Sequence, residues 1–275
     1  MSHSDTSHDP HGAPAENWLA KAKRTLPLVP AARGLSKASR KASSAAHKLQ
    51  FLVEWGGDNP EYFDHFMDQH WQWSANQQSF PWERGVYSGL ALQATAEGGL
   101  PEVLELCCGD GFMTYHFYSA QAKSVTAIDF DKSAITSARK NCSAPNIRFL
   151  LGDIRTDIPQ GTFDNVIWDA AIEHFTEEEI TTLMKTIKSR LKPTGIISGY
   201  TIIEPEDGGS HLHQHEYEFH DKEDLARFLQ PWFANVQVFE TAHPTRRNLY
   251  FWASDSLLPL DRSLSLRISS GSVTQ

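Results

Sequence analysis

Apolar positions change their spacing repeatedly along the chain, and each change predicts the start of a new element. Val103, Leu104 and Leu106 form a short apolar run that is typical of a buried strand. The CCGDG stretch that follows predicts a tight turn, because glycine and aspartate favour turns. Apolar and aromatic positions then recur at helical spacing through FMTYHFYSA, so the first unit is predicted to be a strand, a glycine turn and a helix.

The same alternation of strand and helix continues toward the carboxyl-terminal part of the chain. Thr176 and Glu179 have the spacing of a capping box in front of one helix, and Asp221 and Pro231 bound another. Such alternation predicts a parallel sheet covered by helices. The predicted strands are residues 103–106, 123–130, 147–151, 163–168, 196–203, 236–240 and 248–253.

Acidic residues stand at the ends of the first four predicted strands. Glu105, Asp129 and Asp153 follow one another at equal intervals of 24 residues, and Asp169 closes the fourth strand. Because the carboxyl ends of parallel strands meet at one edge of a sheet, these carboxylates are expected to share a ligand site. An acid at the end of the second strand can accept hydrogen bonds from both hydroxyls of a ribose, which predicts that role for Asp129.

The stretch from Glu105 through CCGDG resembles motif I of the class I S-adenosylmethionine-dependent methyltransferases, in which an acid precedes G-x-G-x-G. Cys107 stands where the first glycine usually falls, and a small side chain is expected to fit there if the backbone angles are not extreme. The resemblance covers residues 85–254. It implies an α/β fold: a Rossmann-like, doubly wound, seven-stranded sheet with the last strand antiparallel, preceded by an N-terminal helical extension.

The resemblance also implies the cofactor, S-adenosylmethionine, and its product, S-adenosylhomocysteine. Asp153 would contact the adenine amino group, and Ile154 would pack near the ring. A dinucleotide is disfavoured because the G-x-G-x-x-G fingerprint is missing from the turn. The expected cofactor-binding residues are Glu105, Cys107, Gly109, Gly111, Asp129, Phe130, Asp153, Ile154 and Asp169.

The sequence DAAIEHF, which follows the fourth strand, carries the first candidate catalytic group. Its Glu173–His174 pair is similar to the fourth motif of small-molecule methyltransferases. His174 is predicted either to act as a general base or to bond to the backbone at the start of the next helix. Asp169 and Glu173 are not expected to bind a metal, because two acids without a third fixed ligand are weak evidence.

The histidine-rich stretch GGSHLHQHEYEFH, after the fifth strand, carries the second group. His211, His213 and His215 alternate, so they would share one face of an extended segment. This segment is interpreted as a substrate loop in which His215 or His220 serves as a base and in which His211 and His213 contact the acceptor. A metal site and an ordinary polar loop are the alternatives. The predicted catalytic residues are thus Glu173, His174 and His215.

Aromatic residues are concentrated before the predicted sheet, in residues 49–84. Most of them are expected to pack in the core, but aromatic faces beside amides and acids also suit a sugar or a flat acceptor. In the resembled family such additions commonly form a lid over donor and acceptor. Trp55, Tyr62 and Trp73 are therefore predicted to contact the substrate.

Composition narrows the classes of protein further. A net charge of −9 disfavours a protein that holds long stretches of nucleic acid, including DNA. Three cysteines, two of them adjacent, do not form a disulfide framework, so a cytoplasmic location is predicted. Neither a secretory leader nor a membrane-spanning segment is expected from the hydropathy pattern.

Charge and composition also predict the domain organisation. Residues 1–48 form a basic arm that is either flexible or loosely helical, or that touches an anionic surface. Residues 49–84 form an aromatic-rich helical lid, residues 85–254 the methyltransferase domain and residues 255–275 a tail.

The leading interpretation is a methyltransferase that acts on a small molecule, on a hydroxyl of a sugar or natural product. One alternative is an RNA or protein methyltransferase that docks through the basic arm. Another is a non-catalytic nucleoside-binding partner subunit, because a fold does not prove an activity. The sequence predicts neither the acceptor atom nor the oligomeric state.

Overall fold

The computed structural model describes residues 28–55, 80–96, 99–203, 215–243, 246–256 and 258–260. Its α-helices are α1 (Leu28–Trp55), α2 (Phe80–Thr95), α3 (Lys132–Asn141), α4 (Ile154–Asp157), α5 (Glu177–Arg190) and α6 (Lys222–Leu229). Its strands are β1 (Glu102–Leu106), β2 (Ser124–Asp129), β3 (Ile147–Leu151), β4 (Phe163–Asp169), β5 (Leu191–Ile202), β6 (Asn235–His243) and β7 (Arg246–Ser254). Among these described helices, none combines the length and hydrophobicity needed to cross a bilayer.

The seven strands form one sheet in the order β3-β2-β1-β4-β5-β7-β6. Strands β1 to β5 are parallel, and β7 runs antiparallel between β5 and β6. The predicted doubly wound sheet with an antiparallel last strand is therefore confirmed. The strand order reverses direction between β1 and β4, which is the position where open α/β sheets bind ligands.

Side chains at the predicted helix starts supply the first hydrogen bonds of three helices. Asp131 accepts from the backbone amides of residues 133 and 134 at the start of α3, and Asp221 accepts from residue 224 before α6. Thr176 and Glu179 form both bonds of a capping box at α5. These caps fix where each helix begins, and they confirm the starts predicted at Thr176 and Asp221.

Two apolar layers cover the faces of the sheet. The larger layer lies under α5 and α6 and includes Trp168, whose ring meets that of Phe175 at a centroid distance of 5.5 Å. The second layer includes Leu92 of α2, Tyr118 and Ile135. Helix α2 thus belongs to the covering of the sheet, because its buried face is continuous with the core.

Two of the predicted domain boundaries fall inside helices. Helix α1 continues across residue 48, within an alanine-rich stretch whose composition favours helix. Helix α2 continues across residue 84, the predicted boundary between the lid and the methyltransferase domain. Its buried positions between Ser88 and Leu92 pack on the sheet. Residues 56–79, most of the predicted lid, and residues 261–275 of the predicted tail lie outside the described residues.

Candidate active site

The turn after β1 is built from residues with left-handed backbone angles. The φ angles are +56° at Cys107, +56° at Gly109 and +78° at Gly111. A Cβ atom on Gly111 would lie 2.6 Å from Cζ of Phe149, so this position excludes a larger side chain. From the sequence, Cys107 is expected to fit this turn if its backbone angles are not extreme. That condition is not met, because the turn holds this cysteine in a conformation that costs a non-glycine residue about 1–2 kcal/mol.

Asp129 lies beneath this turn and fixes it to the end of β2. Its Oδ2 accepts a hydrogen bond from the amide of Gly109 at 2.9 Å, and its Oδ1 accepts from the amide of Asp131 at 2.8 Å. The side chain is buried. A carboxylate oxygen can accept more than one hydrogen bond, so these two bonds do not by themselves exclude a ligand hydroxyl.

Glu105 is a buried carboxylate near the end of β1. The hydroxyl of Thr114 donates a hydrogen bond of 2.6 Å to its Oε2. Burial raises the pKa of Glu105 to about 8, although the Thr114 hydrogen bond acts in the opposite direction. The negative charge of Asp169 raises this pKa further, whereas the positive charge of Arg84 lowers it.

Asp169, at the end of β4, is paired with two groups that the sequence reasoning missed. The hydroxyl of Tyr118 donates a hydrogen bond to its Oδ2, and Nε of Arg84 lies 3.6 Å from the same oxygen. The Arg84 and Asp169 side chains are only 8% and 3% exposed. The guanidinium also lies 5.3 Å from the ring centroid of Tyr200, so aromatic stacking contributes to its position.

Helix α2 positions Arg84 by packing against β7. The ring of Tyr87 stacks on that of Tyr250 at 4.3 Å, and Nε1 of Trp252 donates to the Tyr87 carbonyl at 3.0 Å. Glu83 accepts a hydrogen bond of 2.8 Å from the Tyr250 hydroxyl. A buried lysine or arginine is expected beside several buried acids, but no local sequence pattern indicates that Arg84 is this residue.

The helix predicted after the turn contains one π-helical turn, Thr114–Tyr118. Such wide turns are rare and occur often at functional sites. Here the turn buries both Thr114 and Tyr118, which reach Glu105 and Asp169. Hydrophobic periodicity predicted the helix but not this local change in winding.

The predicted adenine side of the site lies at the ends of β2 and β3. Phe130 is 63% exposed, which is unusual for a phenylalanine and leaves its ring available to a ligand. Asp153 caps α4 and lies 3.2 Å from Nη1 of Arg155. Ile154 is buried in the larger apolar layer, and its predicted packing near the adenine ring stays a prediction.

Glu173, His174 and His215, the three predicted catalytic residues, lie together. One potential ligand atom from each lies within 4.8 Å of the other two. The rings of His174 and His215 meet edge to face at a centroid distance of 5.1 Å. Sequence spacing alone gave no reason to combine groups from these two separate segments.

Backbone and side-chain hydrogen bonds fix this cluster. The carbonyl of Glu173 accepts from the amides of residues 216 and 217, which ties the segment after β5 to the turn after β4. The Thr201 hydroxyl donates to Oε2 of Glu173 at 2.9 Å. His215 has a side chain only 1% exposed, and its Nδ1 lies 2.8 Å from Oε1 of Glu218. Since a carboxylate only accepts, Nδ1 is the donor in this contact, and in a neutral ring the lone pair is then on Nε2.

Several predicted substrate residues lie outside the described part of the chain. These are Tyr62, Trp73, His211 and His213. Trp55 is the last residue of α1, but its side chain is not described. Their contacts with a substrate stay predictions.

The strand order and the acids at the carboxyl edge define an α/β protein with a candidate ligand site at the carboxyl ends of β1 and β4. A family profile described as "Methyltransferase domain" matches residues 103–195. An uncharacterized methyltransferase of Mycobacterium tuberculosis is 29% identical over 126 residues, which are 46% of this chain and 62% of that protein. The domain match and the relatives named as methyltransferases support a class I S-adenosylmethionine-dependent methyltransferase, the family that the sequence resembles.

Other similar proteins match over comparable parts of the chain. The malonyl-[acyl-carrier protein] O-methyltransferase of Priestia megaterium is 26% identical over 127 residues, which are 46% of this chain and 44% of that protein. The chain thus aligns with less than two thirds of the length of these curated relatives. Among solved structures, DhpI in complex with S-adenosylhomocysteine is 22% identical, with a TM-score of 0.48, and the alignment covers 68% of this chain and 94% of DhpI.

Proposed function

We propose that this chain transfers the methyl group of S-adenosylmethionine to a hydroxyl of a small molecule, with a sugar or other natural product as the acceptor. The observation that supports an oxygen acceptor is the convergence of Glu173, His174 and His215. This cluster follows β4 and contacts Thr201 of β5, at the sheet edge that carries the donor-site acids. A hydroxyl must lose its proton as it is methylated, and imidazole and carboxylate groups assist that loss.

The donor is proposed to lie over the turn after β1. Asp129 would accept hydrogen bonds from the ribose hydroxyls, and the exposed ring of Phe130 would pack on the adenine. The sulfonium and ammonium groups of the donor are cations, which suits an edge containing Glu105 and Asp169. Arg84 is the one buried lysine or arginine among the described residues, and it would offset the donor carboxylate.

The proposed reaction is an in-line displacement, so alignment and exclusion of water matter most. The bond between sulfur and the methyl carbon breaks, and its electron pair stays on sulfur. The acceptor oxygen forms the new bond to that carbon and releases its proton at the Glu173–His174–His215 cluster. The relative from Priestia megaterium is itself named for transfer to oxygen, which agrees with this choice of acceptor atom.

Calorimetry with S-adenosylhomocysteine tests the donor half of the proposal. The wild-type chain should bind it, and Asp129→Asn should weaken binding at least tenfold while the thermal unfolding midpoint shows that the variant is folded. Asp157→Asn, a change of an exposed acid at the end of α4, is the matched control and should bind normally. Equal affinity in Asp129→Asn and wild type would remove the ribose role.

Transfer of radiolabelled methyl groups tests the acceptor half. Labelled S-adenosylmethionine is incubated with a panel of monosaccharides and phenolic glycosides, and methyl ethers are identified by mass spectrometry. For an accepted compound, His174→Ala and His215→Ala should slow a single turnover without loss of S-adenosylhomocysteine binding. Normal single-turnover rates in both variants would remove these histidines from the chemistry.

A specific observation also favours a second candidate, the RNA or protein methyltransferase. Arg33, Lys37 and Lys41 are exposed on α1 at intervals of four residues, so they form one basic stripe. An anionic macromolecule could dock along such a stripe. Removal of residues 1–45 should leave methylation of a small molecule intact, whereas loss of methylation on RNA or protein acceptors alone would favour docking.

A further inference from the structure

The Glu173–His174–His215 cluster has the composition of a metal site. Two imidazoles and one carboxylate converge, with one potential ligand atom of each residue within 4.8 Å of the others. This combination of ligands suits divalent ions such as Zn²⁺ and Fe²⁺. We propose that the cluster holds one divalent transition-metal ion. This inference rests on the proposed function. It makes the three residues metal ligands rather than free bases.

The distances between the ligand atoms are close to those that an ion requires. Nitrogen and oxygen ligands lie about 2.0–2.2 Å from Zn²⁺, so two ligands of a tetrahedral site are about 3.4 Å apart. The atoms of the cluster therefore need to approach by no more than about 1.4 Å. His174 is half-buried, so rotation of its side chain can supply part of this movement.

The partners around the cluster match the outer shell of a metal site. Metal-bound histidines usually donate their second ring N–H to a carboxylate or carbonyl, which fixes the ring and its tautomer. The contact of 2.8 Å between His215 Nδ1 and Glu218 Oε1 has this form and leaves Nε2 for the ion. The Thr201 hydroxyl similarly orients the carboxylate of Glu173 through Oε2.

Burial supports a bound ion over a group of three unrelated polar residues. Glu173 is 4% exposed, and the His215 side chain is 1% exposed. Burying a carboxylate beside two imidazoles is costly unless the groups are paired, and a shared cation would compensate it. The hydrogen bonds that join residues 216 and 217 to the Glu173 carbonyl keep both chain segments in this arrangement.

An ion here would supply a specific step of the proposed reaction. Three protein ligands leave at least one coordination position open, as in catalytic zinc sites. An acceptor hydroxyl bound at that position becomes more acidic, because the ion stabilises the oxygen anion. Its proton passes to water, and the oxygen then takes the methyl carbon as the sulfur–carbon bond breaks toward sulfur.

Cobalt provides the probe, because Co²⁺ reports nitrogen and oxygen ligands through its visible absorption. The full chain is treated with a chelator, dialysed and titrated with Co²⁺, and binding of Zn²⁺ is measured by competition. We expect one ion per chain with a spectrum typical of histidine ligands. Glu173→Gln and His174→Ala should each weaken binding at least tenfold, and Glu218→Gln should weaken it about 10–100-fold by releasing His215.

Two controls separate this site from other histidines. His116→Ala removes an exposed histidine outside the cluster and should leave the Co²⁺ spectrum unchanged. The double variant His211→Ala/His213→Ala tests the alternating histidines. Co²⁺ binding that survives Glu173→Gln and His174→Ala, or that is lost only in the double variant, would overturn the proposal, as would no binding in the wild type.

Donor binding distinguishes failure of this inference from failure of the proposed function. Glu173→Gln should bind S-adenosylhomocysteine like the wild type, because Glu173 belongs to the acceptor side. Donor binding and hydroxyl methylation without any metal would overturn the ion and retain the enzyme, with His215 acting as the base. Metal binding without donor binding would retain the ion and overturn the proposed methyltransferase function.

Discussion

Arg84 of α2 and Asp169 at the end of β4 form a buried ion pair, with Nε and Oδ2 separated by 3.6 Å. The contact joins the segment before the sheet to the edge where the donor is proposed to bind. Both charges are removed from water, so each depends on the other and on nearby groups such as the Tyr118 hydroxyl. The helix that precedes the sheet therefore contributes to the proposed donor site.

Removing one member of this pair should be strongly destabilising. Arg84→Ala leaves Asp169 as a buried charge without its cation, and such changes cost about 3–5 kcal/mol. Urea unfolding followed by circular dichroism measures the loss in free energy of unfolding. The double variant Arg84→Leu/Asp169→Asn should lose less than the sum of its two single variants, and additive losses would show that the pair is not coupled.

The acids of this site could be predicted from the sequence, whereas their partners could not. Glu105, Asp129 and Asp169 stand at strand ends, and hydrophobic patterning is sufficient to locate strand ends. Arg84 and Tyr118 reach the site from α2 and from a π-helical turn, and neither position follows from a local pattern. Long-range packing decides which buried cation and hydroxyl face an acid.

At the proposed acceptor side, too, the individual residues could be predicted from the sequence but their contacts could not. Glu173 and His174 could be selected because they follow β4, and His215 because it follows β5. That they form one cluster depends on hydrogen bonds between the two segments, which sequence alone does not contain. The alternation of three histidines directed attention to their own segment, whereas the structure brings His215 next to the Glu173–His174 pair, which precedes β5 in the sequence.

Cys107 should be replaceable by glycine with a gain in stability. Its φ of +56° is one that glycine adopts without cost, whereas other residues lose about 1–2 kcal/mol there. Part of this gain is offset because glycine is more flexible when unfolded, which leaves about 0.5–1 kcal/mol for Cys107→Gly. Differential scanning calorimetry should show a higher unfolding midpoint, while Cys108→Gly, which removes a buried side chain, should lower it.

Burial of Glu105 predicts that stability falls as the pH rises. Its pKa is raised from 4.5 to about 8 in the folded chain, so the folded state keeps a proton that the unfolded state loses. The stabilisation is complete below pH 4.5 and is lost as the pH rises through about 8, with a slope of at most about 1.4 kcal/mol per pH unit. Glu105→Gln should remove this part of the slope in urea unfolding, and Glu178→Gln, at an exposed position, should not.

The same protonation predicts that binding of the cationic donor releases a proton. Glu105 is surrounded by Asp129, Asp169, Arg84 and the Thr114 hydroxyl, and below pH 8 it is mostly protonated. A sulfonium and an ammonium nearby would stabilise its ionised form, so S-adenosylmethionine should bind more tightly as the pH rises from 6 toward about 8. Calorimetry in buffers of different ionisation enthalpy measures the released proton directly.

Two comparisons make this last prediction decisive. Glu105→Gln cannot ionise, so its donor affinity should lose most of the pH dependence and its binding should release fewer protons. S-adenosylhomocysteine lacks the sulfonium charge, so it should release fewer protons than S-adenosylmethionine in the wild type. If Glu105→Gln releases as many protons as the wild type, another group near the donor is titrating and Glu105 does not face the donor's positive charge.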